Sequence, residues 1–221
     1  MTGEDLRGVP LFKDLLPREI EQFMKFTGTT VRNYHRGERV LEAFVPNANI
    51  GILVHGEAQL LSLDRLGNET VGHTIESGAM FGAVSAILGE DIIAVSVQLT
   101  TDAVIMWVPY RSLLIAGPKL GRMHGIVMKN LLETFTRKNV MMMQKIELLS
   151  QKNLRERIVL YLLQREHRQQ SARVKVPRRV QLAKELECNR SSLTREISSM
   201  EADGLVVCGE NWMQLNKDKL Q

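Results

Sequence analysis

Between Arg178 and Val206 the chain reads RRVQLAKELECNRSSLTREISSMEADGLV. Arg190, Ser191, Thr194, Arg195 and Ser198 recur at spacings that put them on one face of a helix. Leu193, Ile197 and Met200 fall on the opposite face. An arginine can donate two parallel hydrogen bonds to O6 and N7 of guanine, and hydroxyls reach base edges or phosphates. The chemistry this face could perform is reading DNA in the major groove. It needs a second helix to hold it there. Leu182, Ala183 and Leu186 give the preceding segment a buried face, and the small Ala183 allows close crossing. Glu187-Cys188-Asn189 is a three-residue turn, with Asn189 expected to cap the second helix through its side chain. Gly204 reads as the C-terminal stop. The pattern is a helix-turn-helix. Arg178, Arg179 and Lys184 flank it and are expected to meet phosphates.

Other chemistries find little footing. No GxxxxGK[ST], HExxH, GxSxG or dinucleotide fingerprint occurs, so no catalytic residue is assigned. Cys188 and Cys208 are the two cysteines and form no CxxC pair, so zinc ribbons and iron–sulfur clusters lack their ligands. Both thiols are expected to be buried. The Met141-Met142-Met143 run reads as flexible packing. His35, His55, His73 and His124 leave one alternative open, a haem-based gas or redox sensor. The main reading assigns no metal and no cofactor.

The chain of 221 residues carries a formal net charge of +4. From Ser150 onward 14 Lys and Arg stand against 9 Asp and Glu, while the rest of the chain is slightly acidic. The positive excess therefore lies in the part that carries the helix-turn-helix. The opening MTGEDLRGVP is polar and unlike a secretory signal, and no apolar run approaches the ~20 residues of a membrane helix. A cytoplasmic protein is expected.

Three segments position the reading face. Residues 1–118 are rich in short period-two runs: Thr29–Tyr34, Ile50–His55, Ala58–Leu63, Thr70–Ile75, Val95–Leu99 and Val104–Val108, with a hairpin turn at Gly67-Asn68. They predict a β-roll. Residues 119–150 form one long helix with a stripe of Met123, Val127, Leu131, Phe135, Met142, Ile146 and Leu149, interrupted by Asn139. Such a stripe is expected to be a dimer seam, with Asn139 fixing register. Residues 151–221 open with a helix burying Ile158, Leu162 and Leu163. VKVP reads as a short strand, and a hairpin turning at Gly209-Glu210-Asn211 follows the two DNA-reading helices. The fold class is α+β: an N-terminal β-roll sensor domain, a dimerisation helix and a C-terminal winged helix-turn-helix.

At this point the sequence resembles the Crp/Fnr superfamily of regulators. RGERV (Arg36–Val40), IGILVHGEAQLL (Ile50–Leu61) and SGAMFG (Ser77–Gly82) are similar to that family's cyclic-nucleotide-binding-like β-roll, and the long helix and the winged motif follow in the family's order. The resemblance implies base reading by Arg190, Ser191 and Arg195. It also implies a homodimer on imperfectly palindromic double-stranded DNA, RNA polymerase as a further partner and control by a small-molecule effector. The equivalent effector pocket comprises Phe81, Gly82, Ala83, Val84, Ile92 and Ile93, with Val127 and Met128 of the long helix. Two positions depart from the family pattern. Ala83 follows Phe81-Gly82 where cyclic-nucleotide binders carry Glu, and Ile93 stands near the position of their phosphate-holding arginine. Without that arginine an anionic phosphate loses its strongest bonds, so the expected effector is not cAMP but an uncharged or aromatic molecule. Glu187 stands in a turn where the family often has glycine, and at positive φ it would cost ~1 kcal/mol.

Overall fold

The computed structural model describes residues 1–64, 66–89, 94–115 and 117–220. They divide into two compact units, Met1–Phe135 and Thr136–Gln221. Among the described residues, no helix is long and apolar enough to cross a membrane.

After a short 3-10 turn (Pro10–Phe12), the first unit continues with helix α1 (Pro17–Thr27). Proline at its first turn suits a position whose amide would lack a helical partner. Strands β1 (Thr30–Tyr34), β2 (Arg39–Leu41), β3 (Asn49–His55), β4 (Ala58–Leu63), β5 (Glu69–Ile75) and β6 (Met80–Phe81) follow. After helix α2 (Ala83–Leu88) come β7 (Val95–Leu99), β8 (Ala103–Pro109) and helices α3 (Tyr110–Ile115) and α4 (Gly117–Leu120). The strands make two antiparallel four-stranded sheets, ordered β1-β8-β3-β6 and β2-β7-β4-β5. The six period-two runs are all strands. β2 and β6, with three and two residues, are too short to show a period. At the β4–β5 hairpin Gly67 has φ 84°, and the Asp64 carboxylate accepts from the amides of Leu66 and Asn68.

The inner strands β3 and β8 of the β1-β8-β3-β6 sheet are covered on both faces, which explains why they are nearly continuous apolar runs, whereas the edge strand β1 is mostly exposed. Ile50, Ile52, Met106 and Val108 face a cluster with Phe12, Ile20, Phe23 and Leu113. Leu53 and Ile105 face the other way, toward Val97, Leu99 and Phe81 between the sheets.

Helix α5 (Arg122–Leu149) begins in the first unit and ends in the second. Met123, Val127, Leu131 and Phe135 pack with the first unit's own core, Val127 and Leu131 fully. The sequence placed these four in a dimer seam; for Met123, Val127 and Leu131 that assignment is corrected, while Phe135 is only half-buried and stays at the edge of the expected seam. Steps of four follow a helix's face closely enough to fit a domain surface as well as a partner helix. Asn130 is buried on the same side and donates to the carbonyls of Leu11 (3.0 Å) and Lys13 (2.7 Å). A different stripe lies open: Leu132, Met142 and Ile146 are each more than 60% exposed.

The second unit adds α6 (Leu154–Gln169), β9 (Arg173–Lys175), α7 (Arg179–Glu185), α8 (Arg190–Ala202), β10 (Val206–Cys208) and β11 (Trp212–Leu215). Its sheet runs β10-β11-β9, with the hairpin turn at residues 209–211. Ile158, Leu162, Leu182, Ala183, Leu186, Leu193, Ile197, Met200 and Met213 form one core.

Candidate nucleic-acid interface

Helix α8 exists because one of its faces is fully buried. Leu193, Ile197 and Met200 are 2% exposed or less. Arg190, Ser191, Thr194, Arg195 and Ser198 are all exposed on the other side. Thr194 donates its hydroxyl proton back to the Arg190 carbonyl at 2.9 Å, which leaves its methyl group and lone pairs for an outside partner. Within Arg190–Ser198 the single acid, Glu196, is turned away from this face. It accepts from Arg155 Nε at 2.7 Å. Arg155 also donates to Asp203 at 2.6 Å and Ser199 Oγ at 2.9 Å, so one guanidinium clamps α6 to the C-terminal half of α8. The carboxylates beside it raise the Arg155 pKa further above its ordinary range.

The turn differs from expectation in two details. Asn189 stands at the N-cap with extended backbone, but its side chain makes no capping bond. Glu187 adopts φ 49°, the left-handed conformation in which a Cβ is crowded. At the far end Gly204 has φ 69°, and Leu205 N donates to Met200 O at 2.8 Å, closing α8 as expected.

The flanking cations are not equivalent. Arg178 and Lys184 are exposed. Arg179 is half-buried, with its guanidinium directed at Met213 Sδ (3.6 Å) on the wing. Arg155 could not be found by sequence reasoning, since its partners lie about forty residues away and no local pattern marks them. The same holds for Lys145, whose ammonium meets the Glu185 carbonyl at 2.6 Å and the Glu187 carboxylate at 3.1 Å.

Both cysteines are half-buried free thiols rather than fully buried ones. Burial pushes the Cys188 thiol pKa up, against a smaller downward pull from Arg157. Burial, then a hydrogen bond to Glu201, raises that of Cys208.

The residues of the expected effector pocket fall in two places. Phe81 is buried between the sheets, where its ring stands edge-on to Trp107 at 5.4 Å. A Cβ on Gly51 would run into that ring, so glycine is what lets Phe81 lie there. Ala83 and Val127 lie in the other cluster, with Met128 packed against it. Gly82, at φ 70°, starts α2, and its carbonyl accepts from Asn47 Nδ2 at 3.0 Å. Val84 is exposed. Ile92 and Ile93 lie outside the described residues. Of the four candidate histidines, His124 has a ring nitrogen 2.7 Å from the Leu113 carbonyl. His35, His55 and His73 are exposed. Among the described residues, no group of three His, Cys, Asp or Glu is placed to hold a metal ion.

No protein-family model matches the chain, and no curated protein matches its sequence. Solved structures do match it. Catabolite activator protein of Thermus thermophilus is 21% identical, with a TM-score of 0.54 over 96% of this chain and 95% of that one. CLP of Xanthomonas campestris, described as a c-di-GMP responsive global regulator, is 18% identical, with a TM-score of 0.54 over 90% and 98%. CprK, in a complex with OCPA, is 14% identical, with a TM-score of 0.59 over 89% and 88%. These likenesses and the order of elements agree: β-roll, long helix, winged helix-turn-helix. The chain has the fold of the Crp/Fnr-type regulators.

Proposed function

We propose that this protein is a sequence-specific DNA-binding transcription regulator, acting as a homodimer under the control of a small-molecule effector and with RNA polymerase as a further partner. The observation that carries the reading is α8. Two arginines and three hydroxyl residues stand exposed on one face, the opposite face is locked into a core, and the intervening acid is neutralised by Arg155. Arg190, Ser191 and Arg195 are assigned to base edges, with Thr194 and Ser198 beside them. Arg178 and Lys184 are assigned to phosphates. Arg179 stays near them but serves the wing.

Homodimerisation is assigned to the open stripe of α5. Gly125, Leu132, Asn139 and Ile146 recur every seven residues, and so do Met128, Phe135, Met142 and Leu149. Together they alternate by three and four, the spacing of a coiled-coil seam. Phe135, Asn139, Met142, Ile146 and Leu149 are retained from the sequence reading. The effector contact is assigned to Gly82, Ala83 and Val84, backed by Val127 and Met128, with Phe81 filling the roll interior. Charged residues are absent from α2 (AVSAIL), which favours an uncharged ligand.

A two-fold dimer presents two copies of α8, so its site has two inverted half-sites with centres about one helical turn, ~34 Å, apart. Selecting duplexes from a randomised pool with the purified protein tests the proposal. An imperfect palindrome of that spacing is expected. Enrichment of no common sequence would overturn it.

A further inference from the structure

The turn between α7 and α8 is held from outside by two cations. The end of a helix leaves carbonyls with no backbone donor. Here the Leu182, Ala183 and Lys184 carbonyls do find amides, from Leu186, Cys188 and Glu187. The next two carbonyls are taken by side chains. Glu185 O accepts from Lys145 Nζ at 2.6 Å, and Leu186 O accepts from Arg157 Nη1 at 2.8 Å. Lys145 also reaches the Glu187 carboxylate at 3.1 Å. Glu187 is the residue at φ 49°. The strained residue is therefore the one Lys145 grips through its side chain, two residues after the carbonyl it caps.

We propose that Lys145 is a positioning residue for DNA reading, holding the left-handed turn at Glu187 and so fixing where α8 begins. The inference rests on the DNA-binding reading above and deepens it. Lys145 sits in the last two turns of α5, the helix whose exposed stripe is assigned to the partner subunit. A shift or rotation of that helical end would withdraw the ammonium from the turn. Glu187 would then relax toward negative φ and carry Asn189 and the first turn of α8 with it. Glycine at position 187 adopts this conformation without strain and would make the ammonium dispensable.

The test uses the full-length protein as Lys145→Met, Glu187→Gly, the double variant and Lys145→Arg. The first readout needs no DNA: the rate of iodoacetamide labelling at Cys188, which adjoins Glu187, with Cys208 as internal control, each located by peptide mapping. Lys145→Met is expected to speed labelling of Cys188 about 3–10-fold and leave Cys208 unchanged. Lys145→Arg should restore much of the protection, and the double variant should label at the rate of Glu187→Gly alone. The second readout is affinity for a palindromic duplex selected by the unaltered protein. Lys145→Met should lose about 3–10-fold and the double variant should recover it. Equal acceleration at both cysteines, or no acceleration at Cys188, overturns the turn lock. Faster labelling with unchanged affinity overturns its role in DNA reading. Failure of the unaltered protein to select any duplex overturns the DNA-binding reading, and with it that role, while the labelling rates still decide whether Lys145 holds the turn.

Discussion

Arg195 and Arg179 carry the same charge within one helix-turn-helix and are used differently. Arg195 projects from α8 with its guanidinium open, whereas Arg179 lies half-buried against Met213. Removing a phosphate contact should weaken all sequences alike and flatten the salt dependence by about one unit. We expect that of Arg178→Ala and Lys184→Ala in titrations at several salt concentrations, but not of Arg179→Ala, whose slope should match the unaltered protein. The two thiols offer a second expectation. Burial disfavours their charged form, so labelling of either cysteine should be slow at neutral pH, rise steadily with pH and reach its midpoint above the ordinary thiol value of 9.0. A pH–rate profile with a midpoint below that value would contradict it. The exposed face of α8 was legible in sequence because its residues and the buried Leu193, Ile197 and Met200 obey one helical period. The Asn189 cap, the orientation of Arg179 and the Arg155 clamp were not, since each depends on side-chain choices or partners that no local spacing encodes.

Helix α5 has two apolar faces, and they do different work. Val127 and Leu131 close the first unit's core, while Leu132, Met142 and Ile146 stand exposed. A sequence stripe in steps of four could not separate these faces, because one face of a straight helix and the seam of a coiled coil drift apart by only ~20° per heptad. Burial separates them. Leu132→Glu with Ile146→Glu should yield folded monomers by light scattering, with an unchanged melting profile for the first unit and weak DNA binding. Leu131→Ala should instead cost ~2–5 kcal/mol of that unit's stability in chemical denaturation, through lost burial and a cavity, and leave the protein dimeric. A double variant that remains dimeric would contradict the seam. The helix itself, its length and its ends were readable from an uninterrupted run; so were the strands long enough to alternate.

At the scale of the whole molecule, a β-roll without a charged residue on α2 is joined through one helix to a unit that holds the chain's positive excess. The roll's six longer strands were visible in sequence, but β2, β6, α2 and the division of the expected effector residues were not. Phe81 and Ala83 are two positions apart yet lie on opposite sides of a sheet, because a strand ends and a helix begins between them. The departures at Ala83 and Ile93 lead to one expectation for the ligand: calorimetry with cAMP should give no specific isotherm at micromolar concentration, and a clear one would contradict the uncharged-effector assignment. The central claim is that α8 reads bases, and one measurement bears on it most directly. Affinities of the unaltered protein and Arg195→Ala are titrated over a library of half-site variants at two salt concentrations. The account predicts a loss of ~1–3 kcal/mol on the preferred site, with discrimination relaxed at one base pair per half-site and the salt slope nearly kept. An equal loss for every base at every position, with a flatter salt slope, would contradict it and make Arg195 one more phosphate contact.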